Sequence, residues 1–72
     1  MRQPKDISRS EMEKLIYEWI SGRNAERNRA VMSARLFDGV TYERLAEDYG
    51  LSVSQIKRIL AKGMETVSRH MR

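Results

Sequence analysis

The 72-residue chain has no cysteine, one proline and one histidine, and each scarcity narrows what it can do. Without cysteine there is no disulfide framework and no thiolate metal site. His70, the one histidine, sits near an end expected to fray, so no catalytic His pairing is in view. The acidic residues Glu43, Glu47 and Asp48 include an i, i+4 pair, but no histidine or glycine-rich loop accompanies them. They are expected to form an exposed acidic face, not a metal or acid–base site. No apolar run approaches the roughly 18 residues of a membrane span, and no signal-like stretch follows Met1. The expectation is a cytoplasmic protein with no membrane contact, no enzymatic activity, no cofactor and no bound metal.

What is present is regular. Apolar residues make up 40% of the chain and are periodic, which argues for a folded domain although a third of the residues are charged. A chain this short buries only about 60% of its unfolded surface, so its core is small. Charge is unevenly placed. Residues 1–49 hold nine basic and nine acidic side chains, whereas residues 50–72 hold Lys57, Arg58, Lys62, Arg69 and Arg72 against Glu65 alone. The whole net charge of +4 therefore lies in the last third, which points to a polyanionic partner.

Residues 1–7 are expected to form a flexible arm, and residues 8–72 one helical domain. Ser8 with Glu11 suggests a capping box, and Met12, Leu15, Ile16, Trp19 and Ile20 follow the spacing of one apolar helix face. Ser21-Gly22 would end that helix. The Leu15, Trp19, Ile20 face either closes the core or forms a dimer surface, and a domain of this size needs Trp19 inside. Asn24 can cap a second helix ending at Asp38-Gly39, with Ala30, Ala34 and Phe37 on its inner stripe. Its four nearby arginines, Arg23, Arg27, Arg29 and Arg35, are expected to meet phosphates. The predicted fold is all-α, a small bundle of four to five helices; Gly63 is a candidate to bend or end the fourth, although Met64, Val67 and Met71 continue its apolar spacing.

The most regular stretch is "TYERLAEDYGLSVSQIKRIL", residues 41–60. Thr41 caps one helix, Ser52 with Gln55 caps the next, and Gly50 supplies a tight turn between them. Ala46 is small where the two helices cross. Leu45, Tyr49, Leu51, Ile56 and Ile59 are the expected inward anchors. Two helices meeting this way form a helix-turn-helix. Its second helix keeps Ser52, Ser54, Lys57 and Arg58 polar and outward, which predicts binding to double-stranded DNA.

The run "LFDGVTYERLAEDYGLSVSQIKRILAKGMETV" resembles the promoter-reading region four of bacterial sigma factors and small sigma-like regulators of Gram-positive bacteria and their phages. The resemblance covers about residues 30–68. It implies that the helix from Val53 to Lys62 enters the major groove, with Ser52, Val53, Ser54, Lys57 and Arg58 nearest the bases. It also implies phosphate contacts from Thr41, Tyr42 and Arg44; Lys62 is expected to add another. Val53 and Ser54 stand where sigma factors commonly carry an arginine and a glutamate, which points away from the usual promoter element. No counterpart of the domains that bind core polymerase and melt DNA is seen. The function expected is a sequence-specific transcriptional regulator, acting as a monomer or weak homodimer, with RNA polymerase as a second candidate partner. The alternatives are a protein-binding adaptor on the same scaffold and an accessory of phage DNA packaging or recombination.

Overall fold

A computed structural model describes residues 7–71 and contains four helices, with no strand among the described residues. They are α1 (Arg9–Trp19), α2 (Ala25–Asp38), α3 (Tyr42–Tyr49) and α4 (Val53–Arg69). No described helix is long and apolar enough to cross a membrane. The arm expected at residues 1–7 lies outside the described residues except for Ile7, which packs against the core.

The longest helix, α4, is the centre of the bundle and packs on all three others. Its buried residues Ile56, Leu60, Gly63 and Val67 recur at spacings of four, three and four, one stripe of a continuous helix. Gly63 does not end it, since α4 runs through to Arg69. The glycine lies where α4 meets Met32 of α2, and it is the small residue that lets those two helices approach. The alanines expected on the inner stripe of α2 do not supply its buried residues. Ala30 is exposed and Ala34 half-buried, while Val31 and Met32 carry the core.

The first helix begins at the expected cap residue: Ser8 Oγ accepts a hydrogen bond from the Glu11 backbone N–H at 3.2 Å. It ends a residue before Ser21, at Ile20, whose φ of −87° and ψ of 109° are extended. Met12, Ile16 and Ile20 are buried, four residues apart. Trp19, expected inside, is 42% exposed. Its indole lies flat against the His70 ring, with centroids 3.6 Å apart and planes 4° from parallel. That stack ties the end of α1 to the end of α4, so His70 is a packed residue and not part of a frayed tail. Met71 beyond it is buried too.

The second helix starts after Asn24, but the Asn24 side chain makes no capping bond. Instead the Asn28 N–H reaches the Asn24 carbonyl at 2.9 Å, an ordinary helical bond. Gly39 closes α2 in the left-handed conformation, as expected.

The corner between α3 and α4 is fixed by local bonds. Gly50 has φ +64°, and its N–H and that of Leu51 return to the Glu47 and Ala46 carbonyls at 3.4 and 2.9 Å. This pair of bonds is a Schellman closure, which requires the left-handed residue. A Cβ at Gly50 would meet nothing within 4 Å, so any cost of adding one is backbone strain alone. Gly50→Ala is therefore expected to lose about 1–2 kcal/mol of stability, read as a lower urea midpoint with an unchanged slope. A midpoint equal to that of the unaltered protein would show that the corner relaxes freely.

Candidate nucleic-acid interface

Two caps aim the fourth helix. Ser52 Oγ accepts from the Gln55 N–H at 3.1 Å, and Gln55 Oε1 accepts from the Ser52 N–H at 2.8 Å. This reciprocal box satisfies two otherwise free backbone donors and sets where α4 starts. The buried stripe then fixes its rotation. With Ile56 and Leu60 inside, Ser52, Ser54, Gln55, Lys57, Arg58 and Lys62 are all exposed. Val53, expected beside them, is half-buried and packs against the core. Tyr49 departs from expectation in the other direction: it is 37% exposed and does not anchor the corner.

The opening turn of α3 lies beside that exposed stripe. Thr41 Oγ1 accepts from the Arg44 N–H at 3.1 Å, which caps the helix and leaves the hydroxyl hydrogen free to donate. Arg44 is exposed but not idle. Its Nε lies 3.0 and 3.2 Å from the two carboxylate oxygens of Asp48, one turn on, while its terminal nitrogens keep their donors. Tyr42 is half-buried, with the Arg35 guanidinium 4.5 Å and the Lys57 ammonium 5.7 Å from its ring centroid. Three helices thus contribute to one aromatic site.

The arginines of α2 do not act as a single basic face. Arg29 reaches back to α1: its Nη2 donates to the Tyr17 carbonyl at 2.8 Å, and its guanidinium stacks over the Tyr17 ring at 4.7 Å. It satisfies a carbonyl at the end of α1 that the helix itself leaves free. Its Nε is buried and has no hydrogen-bond partner among the described residues. Arg35 donates to the Val40 carbonyl at 3.2 Å. Arg27 lies directly against the α4 surface. Its Nε donates to Asn28 Oδ1 at 3.2 Å, and it lines a groove with Gln55 and Arg58. A neighbouring cleft of about 450 Å³ holds Asn28, Arg58 and Lys62 above Ile20 and Gly63. Neither hollow is lined by a carboxylate.

The position of Arg27 was readable in principle, because it lies four residues before Val31. Once Val31 rather than Ala30 is placed inside, Arg27 falls at the edge of α2 that faces α4. Acidic residues sit elsewhere. Glu43 and Glu47 are exposed on α3 and form no ion pair among the described residues. No group of three His, Asp or Glu side chains there is placed to hold a metal ion.

The surface so built is the first half of α4 offering donors, flanked on one side by the start of α3 and on the other by α2. Such a helix fits the major groove of B-DNA. A family model described as sigma-70, region 4 matches residues 25–70. The match begins at the first residue of α2 and takes in α2, α3 and α4, leaving α1 outside it. No curated protein and no solved structure matches the chain.

Proposed function

Because the chain belongs to the sigma-70 region 4 family, a family of DNA-binding helix-turn-helix regions associated with RNA polymerase, we propose that it is a sequence-specific transcriptional regulator. In this proposal residues 53–62 of α4 lie in the major groove. Ser52, Ser54, Lys57 and Arg58 read base edges, and Val53 offers its remaining exposed surface to a thymine methyl. Thr41, Arg44 and Lys62 sit against the phosphate backbone, and Tyr42 lies behind them with its ring against Arg35 and Lys57. The observation that carries the proposal is the exposed donor stripe on a helix whose start and rotation are fixed by the Ser52–Gln55 box and the buried Ile56 and Leu60. Donors held in register can read sequence; the same donors on a loose helix give only affinity.

One such module spans few base pairs. Specific occupancy therefore requires a second copy on a half-site about 34 Å away, or recruitment by RNA polymerase. The test is selection of bound genomic fragments by the purified protein at two salt concentrations. A recovered motif supports specific recognition, and its symmetry reports whether one copy or two bind. Binding that is sequence-blind and vanishes with salt would defeat the proposal.

The groove beside Arg58 adds a residue-level expectation. Arg27 faces that groove and so meets a phosphate, not a base. Arg27→Ala should weaken binding equally for matched and mismatched fragments. It should also reduce the slope of log K against log salt by about 0.9, the value for one phosphate contact. An unchanged slope would remove Arg27 from the interface.

A further inference from the structure

We infer that Tyr42 is a positioning residue whose ring, and not its hydroxyl, holds Arg35 and Lys57 together beside α4 so that they meet DNA as a preset pair. The inference rests on the DNA-binding proposal above and goes further, in assigning Tyr42 a role other than a phosphate contact.

The geometry is specific. Arg35 comes from α2, Tyr42 opens α3 and Lys57 lies on α4. Arg35 is anchored twice, by the Val40 carbonyl at 3.2 Å and by the ring at 4.5 Å. Lys57 has no anchor of its own: it is exposed, and its one described interaction is with the same ring at 5.7 Å. Neither cation forms an ion pair among the described residues. Two like charges on different helices would ordinarily separate into solvent. The negative face of an aromatic ring attracts both, and within about 6 Å of its centroid that attraction is appreciable. A long lysine side chain held this way has less freedom left to lose when it binds. Two cations with no carboxylate between them also leave their field directed outward, toward an anion.

The ring and hydroxyl roles make opposite predictions for two conservative variants. Tyr42→Phe keeps the ring and removes the hydroxyl. Tyr42→Leu keeps apolar bulk and removes the ring. If the ring acts, Tyr42→Phe should retain affinity for the selected fragment, and Tyr42→Leu should lose about tenfold, the scale of two such contacts. Lys57→Ala should then cost less in the Tyr42→Leu background than alone, because the two residues act as a unit.

A measurement on the free protein separates this inference from the DNA-binding proposal. The Lys57 ε-methylene protons should show an upfield ring-current shift by NMR, kept in Tyr42→Phe and lost in Tyr42→Leu. Equal losses of affinity in the two variants would assign the role to the hydroxyl and overturn the inference. So would unshifted Lys57 protons in the unaltered protein, or a Lys57→Ala effect that is the same in both backgrounds. Failure of the unaltered chain to bind any DNA would sink the functional proposal, while the ring-current shift would still decide whether Tyr42 positions Lys57.

Discussion

Replacing Lys57 and Arg58 together by alanine is expected to abolish sequence-selective DNA binding while leaving the helices intact. Both side chains are exposed on α4 and neither enters an ion pair among the described residues, so the bundle does not depend on them. Alanine is also the strongest helix former, so α4 should not weaken. The functional loss is large because each well-formed contact to a base is worth about 1–3 kcal/mol. Even the lower end for two contacts, about 2 kcal/mol, exceeds a tenfold change in affinity, and the upper end exceeds a thousandfold. Circular dichroism and the thermal midpoint should match the unaltered protein, whereas fragment selection should recover no motif. Retained selection by the double variant would move the interface away from α4. The adaptor alternative would then gain ground, and charge reversal at the exposed Glu43 and Glu47 would be the decisive change.

The part of the molecule on which that prediction rests was legible in the sequence for a physical reason. Caps and tight turns are decided by residues within a few positions of each other. Ser52 needs only Gln55, Thr41 needs only the Arg44 N–H, and Gly50 needs only a positive φ, so the corner from residue 41 to 60 is a local statement. The exposure of Lys57 and Arg58 follows from the spacing of Ile56 and Leu60.

What was not legible depends on partners far along the chain. Periodicity places Leu15, Ile16, Trp19 and Ile20 on one broad face, but the core admits Ile16 and Ile20 and leaves Trp19 at its margin against His70. In α2 the stripe through Ala30, Ala34 and Phe37 and the one through Val31 and Met32 are both plausible helix faces. The position of α4 decides between them. Arg29 is the sharpest case, since its main partner is a backbone carbonyl twelve residues away that no side-chain pattern reveals. The site divides the same way. The exposure of Ser52, Ser54, Lys57 and Arg58 was readable from local spacing, while the groove Arg27 faces and the shared ring of Tyr42 depend on how three helices pack.

Gly63→Leu is expected to destabilise the bundle severely. A glycine inside a helix costs about 1 kcal/mol relative to alanine, so its place in the middle of α4 calls for a packing reason. That reason is Met32. A Cβ at position 63 would lie 2.9 Å from Met32 Cε and 3.3 Å from its Cγ, closer than atoms ordinarily pack. Met32 is fully buried, so its flexible end has no solvent to move into. For Gly63→Ala two terms oppose each other: the gain of about 1 kcal/mol in propensity and an overpacking cost of about 1–3 kcal/mol. The net expectation is a modest loss. Leucine adds three more carbons to the same space, and the cost should exceed about 3 kcal/mol. A 72-residue chain has roughly 4–11 kcal/mol of stability in all, so Gly63→Leu should lower the thermal midpoint steeply or prevent cooperative folding. Met32→Ala supplies the control. Alone it should cost about 2–5 kcal/mol by opening a cavity, but combined with Gly63→Ala the total should fall below the sum, because the new methyl enters the vacated volume. A thermal midpoint raised by Gly63→Ala, as at an exposed helix glycine, would show that α2 and α4 do not meet closely here. It would also remove the basis for placing Arg27 beside Arg58, since the same crossing brings both to one groove.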